Sequence, residues 1–140
     1  MKFNKEKTAS RRKNRKAHFT ANSTERRIRM SSPLSKELRE KYGFRSFPIR
    51  RNDKVVVMKG RFKGNTGTVV EVRRKMYKVY VDSCEASKMN GRKVRVGIDA
   101  SNLKIIELYQ GDGRDKILER KMNNRRMQME RAAKIKMEQK

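Results

Sequence analysis

The sequence is poor in the residues that most often carry chemistry. Of 140 residues one is cysteine (Cys84), one is histidine (His18), two are proline and none is tryptophan. A single cysteine excludes an intramolecular disulfide and a zinc ribbon, and one Cys with one His leaves no Cys/His metal site. A Cys84–His18 catalytic pair would require the basic N-terminal segment to fold back onto the rest, so Cys84 is expected as a partly buried strand-end residue. Long apolar runs are missing too. Nothing approaches the roughly 18 consecutive apolar residues that a membrane-spanning helix needs. The start, Met1-Lys2-Phe3-Asn4-Lys5, has no apolar stretch behind it and is not a secretory signal. The basic, Ser/Thr-bearing composition from Lys2 to Arg29 is one that an organellar transit peptide would share. Leu, Ile, Val and Phe total only 27 residues, just under the ~20% line below which a highly charged chain is expected to stay disordered. Acids are scarce: 15 against 40 Lys and Arg, for a net charge of +25. Such a chain repels itself unless a polyanion neutralises it. The composition argues against an enzyme built around a deep apolar pocket.

What apolar material exists is concentrated. All ten valines lie between Val55 and Val96, and the 60 residues from Ile49 to Leu108 hold 17 of the 27 large aliphatic and Phe side chains. One segment can therefore build a small core and two flanks cannot. A domain near that size buries only about 60% of its unfolded surface, so its stability alone should be marginal.

The chain divides accordingly into a basic arm (1–30), a short helix and lead-in (31–48), a barrel (49–110) and a basic helical extension (111–140). The arm carries 11 Lys/Arg against 2 acids and no apolar period over a useful window, which predicts an extended segment that orders on a polyanion. His18, Arg26, Arg27 and Arg29 belong to that surface. In the lead-in, Ser32 is expected to cap a helix that Pro33 starts and Gly43 stops. Leu34, Leu38 and Tyr42 then form a stripe that docks on the barrel or lies against a partner.

From Arg51 the period becomes two. Strands are predicted over Lys54–Lys59, Thr66–Arg73, Met76–Asp82, Lys93–Val96 and Leu103–Leu108, with turns at Gly60, Gly64-Asn65, Arg73-Arg74-Lys75 and Asn90-Gly91. Five short strands in about 60 residues fit a small closed or nearly closed β-barrel. Gly111-Asp112-Gly113 breaks the pattern. Beyond it Arg114 to Lys140 is predicted helical, with a thin stripe of Leu118, Met122, Met129, Ala133 and Met137 that must dock on something or fray.

The most informative stretch runs from Ile49 to Val69. Gly60, Gly64 and Gly67 allow tight turns and close backbone approach, and Lys59, Arg61 and Lys63 project from a loop held between two strands. Such a loop offers N–H groups and cations together to phosphate oxygens. Phe62 packs beneath it or stacks on a base. No Gly-Lys-Ser/Thr follows four residues after a glycine, so it is not a nucleotide-hydrolysing P-loop.

Asp53 to Val69 resembles a KOW motif, which sits on an SH3-like barrel in ribosomal proteins and transcription elongation factors. Lys13-Asn14-Arg15-Lys16, Met30 to Arg39, Arg45-Ser46 with Pro48-Ile49-Arg50, Asn90-Gly91, Val96-Gly97-Ile98 and Lys116 to Lys121 narrow the match. Together they resemble the eukaryotic branch of the large-subunit ribosomal protein family numbered twenty-four universally and twenty-six in the eukaryotic series. The resemblance covers Met1 to Lys121 and implies a mainly β fold, a five-stranded SH3-like barrel with the arm and helices as additions. It also implies a ribosomal RNA-binding structural protein near the polypeptide exit, important in early subunit assembly, cytoplasmic on the ribosome with nuclear or nucleolar transit. Lys59, Gly60, Arg61, Lys63 and Gly64 would then face ribosomal RNA, as would Lys13, Asn14, Arg15 and Lys16 and the helix start at Ser31 and Ser32. The basic tip Arg73, Arg74 and Lys75 adds to that surface.

Partners are accordingly large-subunit ribosomal RNA and neighbouring ribosomal proteins, with no membrane insertion, no small-molecule substrate, no metal and no cofactor. A KOW-type elongation regulator contacting polymerase and nascent RNA is the alternative, although such factors usually place an α/β domain before the barrel. An RNA-cleaving enzyme would need converging carboxylates, whereas Asp53, Asp82, Glu85 and Asp99 are spread over turns and are expected as surface charges.

Overall fold

A computed structural model describes residues 7–111 and 113–138, the side chains at 136 and 138 excepted. Phe3 of the arm, Asp112 of the Gly-Asp-Gly break and the last two residues lie outside the described residues. In chain order the elements are α1 (Arg11–Phe19), α2 (Ser23–Arg29), β1 (Ser31–Pro33), α3 (Lys36–Tyr42), β2 (Ser46–Pro48), β3 (Lys54–Val57), β4 (Thr66–Arg73), β5 (Lys78–Ser87), β6 (Lys93–Ile98), β7 (Leu103–Glu107) and α4 (Arg114–Glu138). Single 3₁₀ turns at Arg74–Met76 and Ala100–Asn102 join β4 to β5 and β6 to β7.

Five strands form one antiparallel sheet in the order β6-β5-β4-β3-β7. The pairings β3–β7, β4–β5 and β5–β6 each contain a register shift, and such irregularities increase local twist and bend the strands. The result is mainly β and consistent with a small, open SH3-like barrel. Inside it lie Val55, Val57, Val69, Val79, Val81, Ile98, Leu103 and Ile105. The period-two reading holds for β3 and the first half of β5, whereas in β4 a register shift puts Val69 in the core and leaves Val70 and Val72 half-buried. Burying each Val, Leu or Ile contributes about 1.5–3 kcal/mol.

Two departures within the sheet have local causes. The third predicted strand begins two residues later, because Arg74–Met76 turns and Tyr77 adopts φ +56, a left-handed conformation. Cys84 is not at a strand end: it is wholly buried within β5. The shift between Tyr80 and Glu85 moves it onto the core face already occupied by Val79 and Val81.

The lead-in is more than a connection. Ser31–Pro33 is a strand paired with Ser46–Pro48, so Ser32 caps no helix. Its hydroxyl donates to the Ala100 carbonyl at 2.6 Å and the residue is fully buried. The helix starts three residues later, where Ser35 Oγ accepts from Leu38 N at 3.3 Å, and ends as expected at Gly43 with φ +72. Leu34 bridges to Ile105, Ser35 N donates to the Ile105 carbonyl, and Met30, Leu34, Phe44 and Phe47 join the barrel core. Of the predicted stripe, Leu38 and Tyr42 also pack against that core.

The arm is helical where extended chain was expected. Arg, Lys and Ala have high helix propensity even without an apolar repeat, and Asn22 caps α2 by accepting from Glu25 N at 2.8 Å. At the other end α4 docks by its first two turns only. Arg114 and Leu118 are buried, Ile117 and Lys121 half-buried, and every described side chain from Met122 onward is exposed.

Asp53 is the clearest correction among the acids. It is 0% exposed, and Arg114 is 1% exposed. The two form a bidentate pair, Arg114 Nη1 donating to Oδ1 and Nη2 to Oδ2, while Asp53 also accepts from Arg50 N (2.8 Å) and Tyr109 N (2.9 Å). Hydrogen bonds from the surrounding donors and the Arg114 charge offset the desolvation cost of this buried carboxylate.

Candidate nucleic-acid interface

The loop between β3 and β4 is built by its backbone. Gly60 (φ +96) and Gly64 (φ +91) occupy conformations that side chains resist. Lys63 N donates to the Gly60 carbonyl (3.1 Å), Gly64 N to the Val57 carbonyl (2.9 Å) and Asn65 N to the Phe62 carbonyl (3.1 Å). With the main chain holding itself, Lys59, Arg61 and Lys63 are all exposed. Phe62 is half-buried against the core, which is the packing alternative. At the loop's far end Gly67 lies under β5, where a Cβ would collide with Asp82 and come within 2.6 Å of Ser83 Oγ. A groove of about 270 Å³ separates the loop from β6, floored by Val57, Phe62, Val96 and Ile98 and edged by Lys59 and Arg61.

The arm and the β4–β5 tip meet at the other end of β4. His18 stacks on Tyr77 with ring centroids 4.1 Å apart, and Tyr77 Oη donates to the His18 carbonyl at 2.6 Å. Arg26 then ties both segments together. Its Nε donates to the Ala21 carbonyl (2.8 Å), Nη1 to the Lys75 carbonyl (3.0 Å) and Nη2 to the Phe19 carbonyl (2.7 Å), with the guanidinium 5.2 Å from the Tyr77 ring centroid. Arg74 Nη1 donates to Ser23 Oγ at 3.1 Å.

The sequence-predicted residues therefore fall into three groups. Lys13, Asn14, Arg15, Lys16, Arg29, Arg73, Arg74 and Lys75 are exposed around the arm and tip, as are Lys59, Gly60, Arg61, Lys63 and Gly64 on the loop. Arg73 is paired to Glu71 at 2.8 Å, and that hydrogen bond raises its already high pKa, so it stays charged. His18, Arg26 and Arg27 are half-buried, with Arg26 holding the fold as much as presenting charge. Ser31 is half-buried with its hydroxyl donating to the Ile28 carbonyl at 2.6 Å, and the buried Ser32 leaves the surface altogether.

Two features escape sequence reasoning. Tyr77 is expected on a strand face, yet it is the anchor for the arm. No local signal marks it, because its partner His18 lies 59 residues away. The Asp53–Arg114 pair is equally invisible, since each residue alone resembles the surface charges around it. Among the described residues no three His, Cys, Asp or Glu side chains converge to hold a metal, and no helix is long and apolar enough to cross a membrane.

The family model described as ribosomal proteins L26 of eukaryotes and their archaeal L24 counterparts matches residues 8–121. A large ribosomal subunit protein uL24 from Schizosaccharomyces pombe is 46% identical over 121 residues, covering 86% of this chain and 96% of that protein. The uL24 protein of Littorina littorea is 48% identical over 126 residues, covering 89% of this chain and 88% of its own. That of Dictyostelium discoideum is 47% identical over 121 residues, covering 86% and 87%.

Proposed function

The chain belongs to the family of eukaryotic ribosomal protein L26 and its archaeal L24 counterpart and is a structural constituent of the large ribosomal subunit, and from that premise we propose that it binds ribosomal RNA through the β3–β4 loop and the arm–tip surface. The family is not an enzyme family, and a transcription elongation regulator is not favoured by the match. The observation that carries the reading is the loop. Three cations, Lys59, Arg61 and Lys63, stand exposed on a backbone that its own hydrogen bonds and two left-handed glycines hold in shape. A preformed cationic loop loses little conformational freedom on binding, so more of its attraction for phosphate appears as affinity.

Structured RNA is then engaged by backbone, shape and 2′-hydroxyls more than by base sequence. The arm residues Lys13, Arg15 and Lys16 line one exposed helical segment that can follow a phosphate backbone. The resemblance further supports a place near the polypeptide exit, beside other ribosomal proteins, a role early in subunit assembly and passage through the nucleus or nucleolus.

The test is the salt dependence of binding to a large-subunit RNA fragment. If about 8 phosphates are engaged, log K should fall against log salt with a slope on the order of −6 to −7. A slope near zero would defeat the reading. Chemical footprinting of subunits with and without the protein would then map protection to the two ends of β4.

A further inference from the structure

From the groove beside the turn before β3 we propose a third RNA contact, in which an unstacked base lies on the ring of Tyr109; it rests on the RNA-binding reading above. Tyr109 is 50% exposed while its main chain is firmly held. Its N–H donates to buried Asp53 at 2.9 Å and its carbonyl accepts from buried Arg114 at 2.8 Å. The ring lies against Gly111, where a Cβ would stand only 2.9 Å from Tyr109 Cε1. An aromatic face is thus held outward on a rigid base and not folded onto the core.

The surroundings suit a nucleotide. Tyr109 and Gly111 line a groove of about 610 Å³ whose apolar floor is half-buried Val70 and Val72 and whose rim carries exposed Arg51 and Arg74. Arg51 stands on a turn pinned at both sides, by Asn52 N to the Val69 carbonyl (2.8 Å) and by Arg50 N to Asp53 Oδ2. The carboxylate among the lining residues, Glu71, is already paired with Arg73. A flat ring with guanidinium groups beside it offers stacking to a base and charge to its flanking phosphates. Single-stranded bases in RNA loops are commonly captured in this way.

The experiment uses the full chain and two labelled probes, a single-stranded hexaribonucleotide and an abasic ribose-phosphate hexamer of equal length, followed by fluorescence anisotropy. Unaltered protein should prefer the base-bearing probe by on the order of tenfold, the range expected for one base on one aromatic ring. Tyr109→Leu should bring the two affinities together while leaving the abasic affinity and the salt slope unchanged, and Tyr109→Phe should keep the preference. Equal binding of both probes by the unaltered chain, or a preference that survives in Tyr109→Leu, overturns the proposal. In either case a steep salt slope for both probes leaves the parent reading standing; loss of that slope removes both. An acidic peptide that competes equally with both probes, with no base preference, also rejects it.

Discussion

The two basic ends of β4 are built in opposite ways. At the β3–β4 loop the backbone supplies the architecture, through glycines and main-chain hydrogen bonds, and Lys59, Arg61 and Lys63 project freely. At the tip the side chains supply it: Arg26, Tyr77, His18 and Arg74 bond across 49 to 59 residues of sequence to hold the arm in place. A cation therefore means different things at the two ends. On the loop it is available to a partner, whereas in the arm Arg26 is partly consumed in making the surface that its neighbours present.

The strongest perturbation should strike both ends together. Asp53→Ala leaves Arg114 buried without its counter-charge, and losing one partner of a buried pair costs about 3–5 kcal/mol. Chemical denaturation should show that loss, accompanied by release of α4 and poorer binding at both ends. Next, replacing Lys59, Arg61 and Lys63 with Ala should separate the ends. Affinity for large-subunit RNA should drop on the order of 100-fold and the salt slope flatten by about 2, with the thermal midpoint nearly unchanged. Arg26→Ala should do the reverse. Its hydrogen bonds to three carbonyls are each worth about 1.5–3 kcal/mol at most, so the arm should detach while the barrel persists. Limited trypsin digestion should then cut within 11–29 at least several-fold faster, read by mass spectrometry, with the barrel fragment still folded. If the arm stays protected, the side-chain description of the tip is wrong.

The smallest effect concerns Lys121. Its Nζ donates to the Ser46 carbonyl at 2.5 Å and lies 4.8 Å from the Phe44 ring centroid. Burial pushes its pKa below the ordinary lysine value of 10.5. The unfolded chain therefore holds this proton more tightly than the folded one, so the cost of burying the charge is present at neutral pH. That cost is relieved as pH rises towards 10.5. Relative to Lys121→Gln, the unaltered protein should be more stable at about pH 10 than at about pH 7, the sign that a pKa lowered by burial requires. Thermal melts of the pair at the two pH values check the sign, and no change in their difference would deny it.

The legibility of the molecule follows the same division. Valine alternation shows the inward faces of β3 and of the first half of β5 because a strand sends successive side chains to opposite sides, while in β4 the register shift buries Val69 and leaves Val70 and Val72 half-buried. The loop glycines are legible because their role is local to the backbone. The helix of the lead-in starts three residues beyond its expected cap, since Ser32 and Ser35 both satisfy the chemistry of a cap and only pairing with Phe47 distinguishes them. The arm lacks an apolar period, which correctly denies it a core but wrongly suggests extended chain. Its helices rest on propensity, Asn22 and attachment to Tyr77. The long stripe on α4 holds only in part: Leu118 docks, and Met122, Met129 and Met137 do not.

By itself the sequence determined which segment could fold, where its turns had to fall and which loop would carry cations on a glycine-shaped backbone. These depend on φ preferences and on side-chain alternation, both properties of a few neighbouring residues. Only the tertiary structure decided which charges are buried, which serine loses its surface and which arginine is a fastener. Desolvation and pairing depend on what lies opposite in space, and for Asp53 that is Arg114, 61 residues further along the chain.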